Sequence, residues 1–316
     1  MKFAGIIAEY DPFHNGHAWQ LAQAKALGAE RVAVAMSCSL VQRGALPLLP
    51  EAVRTRSALT CGADLVFALP APCACAGAEA FARAGVALLA ATGCDGLVFG
   101  AETPDAALLM EAAELLDSDS YRAALKAQLA GGARSFAAAR QAAAAKLASD
   151  ERVAALLDKP NNNLAVEYCR AIRSLAPRME AYPLPRQGAN HGEALHSAHG
   201  QFASASALRK LWAEGGADAV APYVPEAVFP LYQEAYAAGQ YTDFSAAGRC
   251  ELALLRSACR GKAPFADIRG VSEGLEHRLE AAVRTSTTYD ELLDALTTVR
   301  YPRARMRRLA MDAALG

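Results

Sequence analysis

Two histidines, His14 and His17, flank Asn15 and Gly16 in "AEYDPFHNGH", directly after the chain's first apolar run. Imidazoles spaced this way suit three chemistries: ligating a metal, moving protons, or donating hydrogen bonds to phosphoryl oxygens. A metal would need further ligands, and the adjacent carboxylates are Glu9 and Asp11. Far downstream, "FASASALRK" sets Ser204, Ser206 and Arg209 at the opening of a helical pattern. Hydroxyls at a helix start bind phosphate, and an arginine one turn later neutralises a departing pyrophosphate; the plainer alternative is a serine cap with a surface arginine. Near the end, "VRYPRARMRR" gathers Arg300, Arg303, Arg305, Arg307 and Arg308 around Tyr301. Such a cluster serves either as phosphate contacts with base stacking or as a solvated basic helix face. His191, His196 and His199 lie in the aperiodic stretch "RQGANHGEALHSAHG", which reads as a substrate loop or, with less support, a zinc site.

These residues need elements to hold them. "FAGIIA" (Phe3–Ala8), "RVAVAMS" (Arg31–Ser37), "DLVFALP" (Asp64–Pro70) and "DGLVFG" (Asp95–Gly100) read as strands, with a helical pattern between each pair. Single-helix crossovers imply right-handed βαβ units and a parallel sheet, and nearly unbroken apolar runs suit strands buried on both faces. The His14–His17 stretch then falls where the first strand meets the first helix, at the crevice end of an open sheet. Backbone N–H groups at that helix start favour an anion, with Pro12 fixing the turn and Gly16 permitting close approach. The region from Thr103 to about Lys159 is Ala-rich and helical and reads as an insertion. "PNNNLAVEYCRAIRSL" reads as a helix capped by its asparagine run, and "MEAYPLP" as a fifth strand. Further helices follow Gly216, and no internal repeat is present.

Composition narrows the class. The 316 residues are 53% hydrophobic and 21% charged, a balance typical of a globular chain with ample core. A formal net charge of −1 confines any nucleic-acid footprint to a local patch. The eight cysteines form no CxxC pair and read as reduced core thiols of a cytoplasmic protein. "MKFAGIIAEY" lacks a signal-peptide h-region, and no apolar run reaches the ~18 residues of a membrane span.

With "HNGH" and "SASALR" in order around a βαβ sheet, the chain resembles the HxGH nucleotidyltransferase superfamily. A narrower resemblance runs over nearly the whole length. "GIIAEYDPFHNGH", "VQRG", "GADLVFALP", "FGAE", "PNNNLAVEY", "RQGA", "ASASALRK", "VSEGLEHRL" and "RYPRARMRR" are similar, in this order, to the motifs of bacterial tRNA(Met) cytidine acetate ligases. That resemblance implies an α/β fold: a Rossmann-like nucleotidyltransferase parallel sheet with a helical insertion and a helical C-terminal region. It places a nucleotidyltransferase domain at 1–215, the insertion at about 104–159, and a tRNA-binding helical region at 216–316. It implies ATP and Mg2+, with acetate converted to acetyl-adenylate and the acetyl group passed to N4 of the wobble cytidine of elongator tRNA(Met). By the same resemblance His14, His17 and Arg209 are catalytic. Ile7, Ala8, Glu9, Tyr10, Pro12, Phe13, Gly16, Gln20, Gly100, Asn162, Arg186 and Ser206 line the ATP site, and the five C-terminal arginines meet tRNA. Where the family carries asparagine this chain has Asp11, an added negative charge beside the phosphate site. Cys38, Ser39 and Leu40 also replace a Gly-Asn-Phe run. Two alternatives stay open at this stage: a small-molecule nucleotidyltransferase with another acceptor, and a nucleotide- or RNA-binding homologue without catalysis.

Overall fold

The computed structural model describes residues 1–132, 135–185, 195–197, 200–260 and 264–316, with backbone alone at 195–197, 200 and 201. The first apolar runs form strands close to the expected bounds: β1 (Phe3–Ala8), β2 (Arg31–Ser37), β3 (Leu65–Leu69) and β4 (Gly96–Ala101), joined by β5 (Glu180–Pro185). All pair in parallel in the order β3-β2-β1-β4-β5. The central β1 pairs with β2 from Phe3↔Arg31 to Ala8↔Met36, so both strands end together at one edge. The order reverses direction between β1's two neighbours, which opens a crevice at the strand C-termini.

Helices cover both faces. In chain order they are α1 (Asn15–Ala26), α2 (Glu51–Thr60), α3 (Ala71–Ala74), α4 (Ala78–Ala91), α5 (Ala106–Asp117), α6 (Asp119–Ala130), α7 (Phe136–Leu147), α8 (Glu151–Leu156) and α9 (Pro160–Leu175). After these come α10 (Ala205–Val220), α11 (Phe229–Ala237), α12 (Phe244–Ala258), α13 (Leu275–Thr285), α14 (Tyr289–Leu296) and α15 (Arg303–Leu315). One core joins the sheet to α4, α5 and α9 through residues such as Phe81, Leu89, Leu97, Leu109, Val166 and Ile172. The opposite face packs Ile6, Val34, Met36 and Val98 against Leu21, Leu208, Trp212, Val228 and Tyr232. Helices α12 to α15 bury a core of their own around Leu255, Leu279, Leu292, Leu293 and Met306. No helix among the described residues is long and apolar enough to cross a membrane.

Three expectations change. The asparagine run does not cap α9: its N-cap is Lys159, which makes no side-chain cap bond. The Glu102 carboxylate at the end of β4 instead accepts the N–H groups of Asn161 (3.2 Å) and Asn162 (2.6 Å). A negative group there suits the positive end of the helix, and side chains already inside the first turn cannot serve as its cap. The stretch taken as loop ends in a short hairpin, β6 (Leu195–Ser197) with β7 (Gly200–Phe202), too brief to leave a periodic signal. Nor are all the cysteines core: Cys75, Cys94, Cys169 and Cys259 are buried, while Cys250 is exposed and Cys38, Cys61 and Cys73 are intermediate.

Candidate active site

The turn from β1 into α1 is built from its own residues. His14 is the N-cap of α1 with extended backbone, and its Nδ1 accepts the Gly16 N–H at 3.0 Å. His17, at the third helical position, returns the favour: its Nδ1 accepts the His14 N–H at 3.3 Å. Both imidazoles therefore replace the usual Ser and Glu of a capping box. The two rings stack at 3.8 Å between centroids, 24° apart. A ring nitrogen that accepts cannot carry the proton, so this bonding assigns both rings the tautomer with Nε2–H as donor.

Beneath the pair lies an aromatic floor. Tyr10 is buried, meets His17 edge-on at 4.8 Å and touches Phe13 at 4.9 Å. Tyr10 also sits at φ 48°, a left-handed conformation uncommon for a bulky residue and held here by its packing. Phe13 is fully buried, and its carbonyl accepts the Tyr232 hydroxyl from α11 at 2.7 Å. Gln20 donates to the Val98 carbonyl at 3.2 Å, tying α1 to β4. Ile7 packs beneath Gly85 of α4, where a Cβ would come within 2.6 Å of its Cδ1.

Asp11 does not stand as a bare charge beside the site. One carboxylate oxygen accepts the Leu48 N–H at 2.6 Å, and the other pairs with Arg209 Nη1 at 3.0 Å. The same Nη1 donates to the Asp11 carbonyl at 2.6 Å, so α10 is fastened directly to the turn after β1. Ser204 is the N-cap of α10, accepting the Ala207 N–H at 3.2 Å, and its hydroxyl lies 3.0 Å from that of exposed Ser206.

Arg54 of α2 is the residue that sequence reasoning missed. Its guanidinium is fully buried and donates to the carbonyls of Glu9 (2.8 Å), Ser37 (2.6 Å) and Leu49 (3.0 Å), and to that of Cys38. It therefore fastens the C-terminal ends of β1 and β2 to the loop between β2 and α2. Burial lowers its pKa, while Asp11, Glu51 and Glu9 pull the other way; a guanidinium stays charged in either case. A signal existed: Arg54 shares a helix face with Ser57 and Ala58, both buried. Glu9 accepts the Gln42 N–H at 2.6 Å, and burial raises its carboxyl above the usual range.

The "VQRG" turn is gripped from the other side by α15. The Arg308 guanidinium donates to the Gln42 carbonyl at 3.2 Å. Gly44 has φ 74°, and a Cβ there would lie 2.5 Å from the Arg308 nitrogen and 2.7 Å from the Arg307 carbonyl carbon. Both neighbours are backbone and cannot step aside. Gly44→Ala is therefore expected to destabilise the protein by roughly 2 kcal/mol or more, read as a lower urea midpoint.

The remaining anticipated residues divide. Pro12 is buried in the turn, Ala8 closes β1, and Gly100 lies exposed near the end of β4, opposite Leu184 of β5. Asn162 is buried and spends its amide on Thr103, accepting its N–H at 2.9 Å and donating to its hydroxyl at 3.1 Å. Arg186, His191 and His199 lie outside the described residues, as does the side chain of His196. Among the C-terminal arginines, Arg300 pairs with Glu273, and Arg303 with Asp290 and Asp294. Arg305 lies 4.9 Å over the Tyr301 ring and donates to the Gly270 carbonyl, while Arg308 reaches the "VQRG" turn. Among the described residues no group of three or more metal-ligating side chains comes together.

The family model for HIGH nucleotidyl transferases matches residues 1–316. A tRNA(Met) cytidine acetate ligase of Syntrophotalea carbinolica is 36% identical over 314 residues, covering 98% of this chain and 73% of its own length. That of Acetivibrio thermocellus is 33% identical over 327 residues, covering 100% and 77%. The apo crystal structure of Thermotoga maritima TmcAL superposes with a TM-score of 0.91 at 31% identity, over 99% of this chain and 75% of that one. The same protein bound with alpha-thio ATP gives a TM-score of 0.89 at 30% identity over 99% and 74%.

Proposed function

The chain belongs to the HIGH nucleotidyl transferase family and to its tRNA(Met) cytidine acetate ligases, and on that premise we propose that it activates acetate with ATP and acetylates the wobble cytidine of elongator tRNA(Met). The observation that carries the reading is the paired imidazole cap at the start of α1, with Arg209 fastened to the same turn through Asp11. Acetate is ionised at neutral pH, so its attack on the α-phosphorus needs positioning and charge stabilisation rather than a general base. The new acetyl–phosphate bond forms as the bond to the β-phosphate breaks, and pyrophosphate carries away the electron pair. His14 and His17 donate to oxygens that gain charge in that step, and Arg209 with Ser206 receives the leaving group. Mg2+ screens the triphosphate when bound. The cytidine N4 amine then attacks the acetyl carbonyl, the acyl carbon–oxygen bond breaks to release AMP with its electron pair, and N4 gives up one proton to solvent. A base in an anticodon loop is readily unstacked for this.

The C-terminal arginines are the proposed tRNA contacts. Arg300 and Arg303 already hold acidic partners, so the test falls on Arg305, over the Tyr301 ring, and on Arg307, whose charge also acts on buried Glu251. Replacing both with alanine is expected to weaken tRNA binding and to reduce the slope of log affinity against log salt by about 1–2, by titration at several salt concentrations. Mass analysis of tRNA after incubation with the protein, ATP and acetate tests the whole reaction. An acetylated cytidine is expected, and unmodified tRNA alone would argue against it.

A further inference from the structure

We propose that Asp11 is a built-in counter-charge that tempers the hold of Arg209 on the polyphosphate and so favours release of pyrophosphate. The inference rests on reading Arg209 as a phosphate ligand. Arg209 does not need the carboxylate for its position, because the same Nη1 already donates to the Asp11 backbone carbonyl at 2.6 Å. What the side chain adds is a unit of negative charge, 3.0 Å from that nitrogen, in a pair whose side chains are 4% and 20% exposed. So little water surrounds the pair that the charge is poorly screened. A phosphate drawn to Arg209 therefore meets a guanidinium whose field is largely cancelled from behind. The carboxylate cannot turn away, since its other oxygen is held by the Leu48 N–H at 2.6 Å. Nearby, Arg43 and Arg54 add positive charge, and Asp11 faces both Arg54 and Arg209 with its carboxylate.

The sign of one substitution separates this role from a structural one. Asp11→Asn keeps an acceptor for the Leu48 N–H, removes the charge and turns an amide NH2 toward Arg209, which the Asp11 backbone carbonyl still holds. Calorimetric titration of the full chain with inorganic pyrophosphate is expected to show Asp11→Asn binding about tenfold tighter, a gain that shrinks as salt rises. Arg209→Ala is expected to bind about tenfold or more weakly. A loss of packing or position would weaken binding, so unchanged or weaker binding by Asp11→Asn overturns the proposal while leaving Arg209 in place. Unchanged binding by Arg209→Ala overturns the phosphate reading of that residue and the proposal with it. Should Asp11→Asn fail to fold, as a thermal melt would reveal, Asp11→Ala is titrated instead with the same expected sign.

Discussion

Arg54→Ala is expected to cost about 4 kcal/mol or more of folding stability, the largest effect of any single substitution here. The guanidinium is fully buried and donates to four backbone carbonyls, those of Glu9, Ser37, Cys38 and Leu49. Alanine leaves them without that donor at the converging ends of β1 and β2, and leaves a cavity as well. Each stranded buried acceptor costs about 1–3 kcal/mol, so even partial rescue by water leaves a large deficit. Lysine would be a poor substitute, because one ammonium cannot reproduce the planar fork. Urea unfolding of Arg54→Ala and Arg54→Lys checks this. The expected order of midpoints is wild type, then lysine, then alanine, and an alanine variant within ~0.5 kcal/mol of wild type would contradict the assigned role.

His17→Ala is expected to lower kcat/KM for adenylate formation by 10²–10³, about 2–4 kcal/mol of transition-state stabilisation, as loss of one oxyanion donor does. The same change removes the acceptor for the His14 N–H, so part of any loss could come from a frayed α1. His17→Gln separates the two. Glutamine at this position completes a capping box, which keeps the helix start while removing the imidazole. Near-normal melting with activity as low as in His17→Ala is the expected pair of results. Wild-type turnover in either variant would remove His17 from the chemistry.

The sheet was legible because its strands are nearly continuous apolar runs, and their spacing by single helices left few topologies. Position of the His14–His17 pair at a strand–helix junction was legible for the same reason. What the motif could not reveal was that the rings cap the turn themselves, His14 taking the Gly16 N–H and His17 the His14 N–H. Partners distant in sequence were harder still. Glu102 caps a helix that starts 58 positions later, Tyr232 reaches back to Phe13, and Asp11 meets Arg209 across 198 positions. Nothing local marks such pairs. Arg54 was missed for another reason: a lone arginine on a short helix is ordinarily solvated. Only the small residues on its face, Ser57 and Ala58, hinted that it points inward.

Exchange of labelled pyrophosphate into ATP by the purified protein tests the central claim most directly, because it reports reversible adenylate formation without tRNA. Exchange that requires acetate is the predicted result. Exchange independent of acetate, or none in its presence, would contradict acetate activation at the His14–His17 turn.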